Sequence, residues 1–150
     1  MTIPRYGAGV LTLVLAAATP ALGQQPSAAG RIKVVSGSAF IVRERGLIPA
    51  RAGQAVFEAD GLRTGGDGRI GVTLKDDTRV SIGPSSEVRL ERFVYAPADG
   101  GFGLVFKIVR GVAAYVSGQI AKLAPDSVRL ETPAAIVGVR GTSLAIRVGP

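Results

Sequence analysis

Apolar residues recur at every second position in short runs along most of this chain, and each run stops at a cluster of residues that bend the backbone. Ile32/Val34, Ile70/Val72/Leu74, Val80/Ile82, Val88/Leu90, Leu104/Phe106/Ile108, Val128/Leu130 and Leu144/Ile146 alternate with polar or small side chains. A period of two sends successive side chains to opposite faces, so it specifies half-buried β-strands and leaves little room for helices of 3.6-residue period. The runs are separated by Gly65-Gly66-Asp67-Gly68, Asp76-Asp77-Thr78, Gly83-Pro84-Ser85-Ser86, Pro97-Ala98-Asp99-Gly100-Gly101 and Ala124-Pro125-Asp126. Glycine supplies positive φ there, proline a fixed φ, and Asp or Ser a side-chain bond to the turn backbone. Strands recurring about every eight to ten residues between Arg69 and Phe93 predict an all-β fold, and the spacing suits a meander, a sandwich-like packing or a small β-solenoid-like coil.

At 150 residues, 47% hydrophobic and 19% charged, the chain suits one packed domain and not disorder. Residues 1–23, "MTIPRYGAGVLTLVLAAATPALG", place Arg5 before an apolar run from Val10 to Ala18, followed by Thr19-Pro20 and the small residues Ala21 and Gly23. That is the layout of a secretory signal peptide, with cleavage expected after Gly23. The run is shorter than the about 20 apolar residues a helix needs to cross a bilayer. An uncleaved N-terminal anchor is the alternative, and no later segment reads as a transmembrane span. Residues 24–30, "QQPSAAG", read as a flexible tether, and 31–150 as the folded domain. With no cysteine, lipoprotein anchoring and disulfides are excluded.

Loss of Arg5 with the leader leaves 17 Lys and Arg against 11 Asp and Glu, a net charge of +6. For an exported chain, acidic glycans, lipopolysaccharide phosphates or an acidic protein are more available partners than nucleic acid. The arginines are scattered from Arg31 to Arg147 without a dense run, which reads as solvated strand faces.

The chain contains no His and no Cys, so His-assisted serine hydrolysis, thiol catalysis and Cys/His zinc sites are excluded. Asp76-Asp77 is the one adjacent acidic pair; it could hold calcium or serve a glycosidase, but it also reads as a plain "KDDT" hairpin turn. Ser85 and Ser86 with Lys75 or Lys122 lack the spacing of a Ser/Lys dyad and read as polar turn and surface residues. Arg89 and Arg92, with Phe93, Tyr95 and Phe102 around the Pro/Gly-rich loop, are candidate contacts for a sugar or a protein; the more ordinary role of the rings is to cap the end of a small core. No cofactor is implied, and the chain is expected not to be an enzyme.

Three segments carry a family pattern. "GQAVFEADGLRTGGDGRIGVTLKDDTRVSIGPSSEVRLERF" (53–93), "VRGVAAYVSG" (109–118) and "VRLETPAAIVGVRGTSLAI" (128–146) together resemble the FecR domain of bacterial exported proteins. The motif positions are Asp60, Thr64, Asp76, Asp77, Pro84, Gly111, Thr132, Pro133, Arg140, Gly141 and Thr142. The resemblance implies a periplasmic, non-enzymatic module that signals or scaffolds through contact with an envelope protein. The cytoplasmic helical region and central membrane helix of the family's sigma-factor regulators have no counterpart in this sequence. The family pattern often runs on for further strands, so the C-terminal edge is expected to be open or completed by a partner. The alternative is an envelope glycan-binding protein.

The stretch "IVGVRGTSLAIR" (136–147) reads as two core strands meeting at Arg140-Gly141-Thr142, with Gly141 at an angle other residues resist and the Thr142 hydroxyl bonded to nearby backbone. Arg140 is either a buried tie or an exposed contact.

Overall fold

The alternating runs do form strands. A computed structural model describes residues 2–4, 7, 9, 17–19 and 26–149, so the leader and the cleavage point expected over residues 1–23 lie largely outside the described residues. Twelve strands follow in chain order: β1 (Gly30–Ser36), β2 (Ala39–Arg43), β3 (Gly46–Pro49), β4 (Ala55–Val56), β5 (Gly61–Thr64), β6 (Arg69–Leu74), β7 (Arg79–Ile82), β8 (Glu87–Ala96), β9 (Gly101–Val116), β10 (Val128–Glu131), β11 (Ile136–Gly138) and β12 (Ser143–Val148). The all-β expectation holds. Among the described residues one short α-helix, α1 (Gln119–Leu123), breaks the pattern in a stretch where sequence periodicity gave no helical signal. Residues ahead of Arg31 already join the sheet: the Ala29 N–H donates to the Val56 carbonyl at 2.7 Å, and Gly30 pairs with Leu74.

The strands join into one sheet with the path β3-β2-β5-β8-β9-β7-β6-β1-β4. All neighbours on that path are antiparallel, so the sheet curls into a half-barrel and not into the parallel rungs of a solenoid. β9 is its spine. Residues 101–110 pair with β8 and, on the opposite edge, residues 104–107 run parallel to β10. Residues 113–116 pair with β7 and residues 111–116 with β12. The change of partners falls at Gly111, whose φ of +87° is open to glycine at little cost.

The curl turns one face of every main strand inward. Ile32, Ile41, Ile70, Ile82, Leu90, Leu104, Ile108, Ile120 and Leu130 are all fully buried in a single core. These are largely the residues that the period-two pattern assigned to one face. At about 25 cal/mol per Å² of apolar surface removed from water, such burial is the main term holding a disulfide-free domain together.

β11 and β12 differ from expectation. They are not two core strands folded against each other: β11 pairs with β10 and β12 with β9, and both lie at sheet margins. Ile136 is 65% exposed, while Leu144, Ile146 and Val148 are only partly covered.

Candidate functional site

The family-motif positions fall into three ties, two surface loops and the exposed Asp77. The first tie lies where β9 changes partners. The Thr64 hydroxyl donates to the Gly83 carbonyl at 2.6 Å and accepts from the Ser86 N–H at 3.0 Å. The Ser86 hydroxyl donates to the Pro84 carbonyl at 2.9 Å and accepts from the Val112 N–H at 2.8 Å. A Cβ on Gly111 would collide with Ser86. Thr64, Pro84 and Gly111 are therefore parts of one joint, and Ser86 is its centre. Ser86 is fully buried, which corrects its reading as a surface residue; only Ser85 is exposed there. The serine doublet gave no hint, because burial here is set by β9, which lies 26 residues away in the chain.

The second tie is Asp76. It is 1% exposed, and its carboxylate accepts from the Thr78 N–H at 3.1 Å, the Thr78 hydroxyl at 2.7 Å and the Ile120 N–H at 3.1 Å. Its main-chain carbonyl also accepts from the Gln119 N–H at 2.7 Å. Two of the otherwise free N–H groups opening α1 are thus held by a residue 44 positions earlier. Asp77 faces away, exposed, at a φ of +68°. The two carboxylates do not converge, and the hairpin reading of "KDDT" is what the fold uses.

The third tie is Asp60, 4% exposed, which the sequence offered only as a motif position. It takes both arms of Arg43, with Nε to Oδ1 at 2.8 Å and Nη2 to Oδ2 at 3.0 Å, and accepts from the Phe57 N–H at 2.9 Å. The guanidinium lies 5.2 Å from the Phe57 ring centroid and also donates to the Ala55 carbonyl at 3.3 Å, linking β2 to β4 across the gap of the half-barrel. Its hydrogen bond to Asp60 holds the Arg43 pKa above the usual value.

The remaining motif residues are at the surface. Thr132 closes the β10–β11 turn, its hydroxyl accepting from the Ala135 N–H at 3.0 Å, with Pro133 exposed at the tip. Arg140, Gly141 and Thr142 form an exposed loop leading into β12. Gly141 has a φ of +134° as expected. The loop is fastened through main-chain carbonyls: that of Gly141 accepts from the Ser117 hydroxyl at 2.7 Å, and that of Thr142 from the Ser117 N–H at 2.8 Å. Arg140 is exposed, so of its two readings the buried tie falls away.

Phe93, Tyr95 and Phe102 are partly buried and pack on the core, the Tyr95 and Phe102 rings tilted at 53° with centroids 6.5 Å apart. They cap the core's end and do not form an open stacking platform. Arg89 and Arg92 are exposed on the outer face of β8, Arg89 lying 3.9 Å from Glu91.

Two accessible features lie beside the motif residues. One is an open cleft over the first joint, lined by Thr64, Pro84 and Gly111 and rimmed by Arg110 and Arg147. The other is the outer edge of β12, which pairs with β9 on its inner side. The Ser86 hydroxyl is fully engaged with backbone, and among the described residues no three of His, Cys, Asp or Glu gather as metal ligands. The geometry offers surfaces for recognition. Among the described residues no helix is long and apolar enough to cross a membrane. Neither a curated protein nor a solved structure matches the chain. Residues 60–150, running from Asp60 through the Ser86 joint and the Asp76 tie to the β12 edge, match the FecR protein family, and the chain belongs to that family.

Proposed function

We propose that this is an exported, periplasmic FecR module that acts without catalysis, by contact with an envelope protein at the free edge of β12. Membership of FecR, a signalling family associated with the cell envelope, supports a relay or scaffold role. The observation that carries the reading is the state of β12. Its inward residues Leu144, Ile146 and Val148 are only half covered, and its outer main chain has no partner strand among the described residues. A partner strand laid there would extend the sheet and complete the apolar cover at once, which is how exposed edges recruit peptides. Glycan binding through the aromatic loop is the weaker alternative, because those rings are committed to the core.

Site-specific photocrosslinking in cells tests this. A crosslinker at Ala145, exposed on β12, should capture one envelope protein that a crosslinker at Arg89, on the far face of β8, does not. Identical products from both positions, or none from Ala145, would refute edge recruitment.

A further inference from the structure

The two halves of the curled sheet carry different electrostatics on their outer faces. On the half built around β8, cations and carboxylates are mixed: Arg63 is 3.3 Å and Arg110 3.9 Å from Glu87, and Arg89 lies beside Glu91. On the other half, β1, β6, β7, β12 and residues 111–116 of β9 contain no Asp or Glu at all.

Strand register fixes where the cations of that second half stand. One cross-strand row reads Arg31, Thr73, Arg79, Val116, Ser143. The next outward row reads Val34, Gly71, Ser81, Ala114, Ala145. Beyond it, Arg69 pairs with Ser36 and Arg147 with Val112. Arg31, Arg69, Arg79 and Arg147 are all exposed, and none is in an ion pair among the described residues. They frame a floor of small side chains. Five strands span about 19 Å and four residues along a strand about 13 Å. Lys33 adds a fifth exposed cation at the β1 bulge. The nearest carboxylates along the chain, Asp67 and Asp77, sit in the turns that precede Arg69 and Arg79, and Asp67 is engaged with the Ser38 N–H at 3.2 Å.

We propose that this face docks on a bilayer surface rich in anionic headgroups, with the four arginines on lipid phosphates. Three properties select that occupant. The middle of the face is broad and floored by glycine, serine and alanine, and the cleft rimmed by Arg147 lies at its margin, so its centre offers no groove for a polymer chain. It presents no aromatic ring for stacking a sugar, since Tyr115 of β9 points into the core. Val34 is its one exposed large apolar side chain, so contact is by charge without insertion. Four to five cations on one face match the number that holds peripheral segments on anionic membranes. Sequence reading missed the face because its arginines lie on four separate strands and converge only through register.

Co-sedimentation of the full chain, as recovered from cells, with phosphatidylglycerol and phosphatidylcholine vesicles tests the proposal. Binding is expected to phosphatidylglycerol alone and to fall steeply as salt rises. Each arginine removed should lower partitioning roughly fivefold, so R31Q/R69Q/R79Q/R147Q should lose several hundredfold. R89Q/R92Q/K107Q/R129Q removes the same charge from the opposite half and should keep most of the binding. Since every variant carries the same N-terminal segment, that comparison isolates the face. Equal losses from the two variants, no binding to phosphatidylglycerol, or binding to soluble alginate in place of vesicles would each overturn it.

Discussion

Asp76→Asn and Asp77→Asn make the same chemical change at adjacent positions, and the structure predicts opposite outcomes. The Asp76 carboxylate accepts two buried N–H groups and one buried hydroxyl, all between 2.7 and 3.1 Å. An amide keeps one accepting oxygen and turns an NH₂ group toward the remaining donors. One charge-assisted bond, about 1.5–3 kcal/mol, is lost, and a buried N–H is left facing another donor at about 1–3 kcal/mol. The sum is about 4 kcal/mol, which in a domain of this size lowers Tm by roughly 15 °C. Asp77 is exposed with φ at +68°, a region Asn adopts readily, so its replacement should change stability by less than about 0.5 kcal/mol. Urea unfolding followed by far-UV circular dichroism measures both, with an unchanged m-value showing that the transition is comparable. A loss below about 1 kcal/mol for Asp76→Asn, or equal losses for the pair, would refute the claim that this carboxylate is the tie between the β6–β7 turn and α1.

Other substitutions probe the remaining features. Gly111→Ala forces a Cβ into Ser86 at a positive φ and should cost about 2–4 kcal/mol in the same unfolding assay. Asp60→Asn removes half of the two-armed Arg43 pair at a buried site and should cost about 2–3 kcal/mol. The Tyr115 hydroxyl is buried without a hydrogen-bond partner of good geometry, and burial pushes its pKa up, so Tyr115→Phe should be neutral or stabilising by up to about 1 kcal/mol. Asp67 is held below the usual carboxylate range by its bonds to Ser38, so its contribution is present above the unfolded pKa and lost as pH falls through the folded one. Acid titration of stability should flatten on that side in Asp67→Asn.

The strands were legible because burial on one face leaves a period of two in the sequence, and Ile70/Val72/Leu74 or Leu104/Phe106/Ile108 announce themselves without any partner in view. What joins strands was less legible. Thr64, Pro84 and Gly111 were recognisable only as motif letters; their meaning depends on Ser86, which looks like any turn serine until β9 is laid over it. α1 has five residues and one fully buried side chain, too little for helical periodicity to register. The arginine-framed face left no trace at all, since pairing register, and not spacing along the chain, decides which cations stand together.

The sixteen-residue β9 has a consequence for the order in which this chain can fold. β7, β8, β10 and β12 all complete their pairing on it, and residues 101–116 come late in the sequence. Hairpins such as β2–β3 and β6–β7 can flicker into being as soon as they leave the ribosome and can add β5 and β1, but the two halves of the sheet have no strand to join them until β9 arrives. Closing the sheet must wait for β9, and folding is correspondingly slow for a domain of this size, because the contacts that reward it are distant ones. A polypeptide whose sheet stays open until β9 is in hand can still be threaded through a narrow pore.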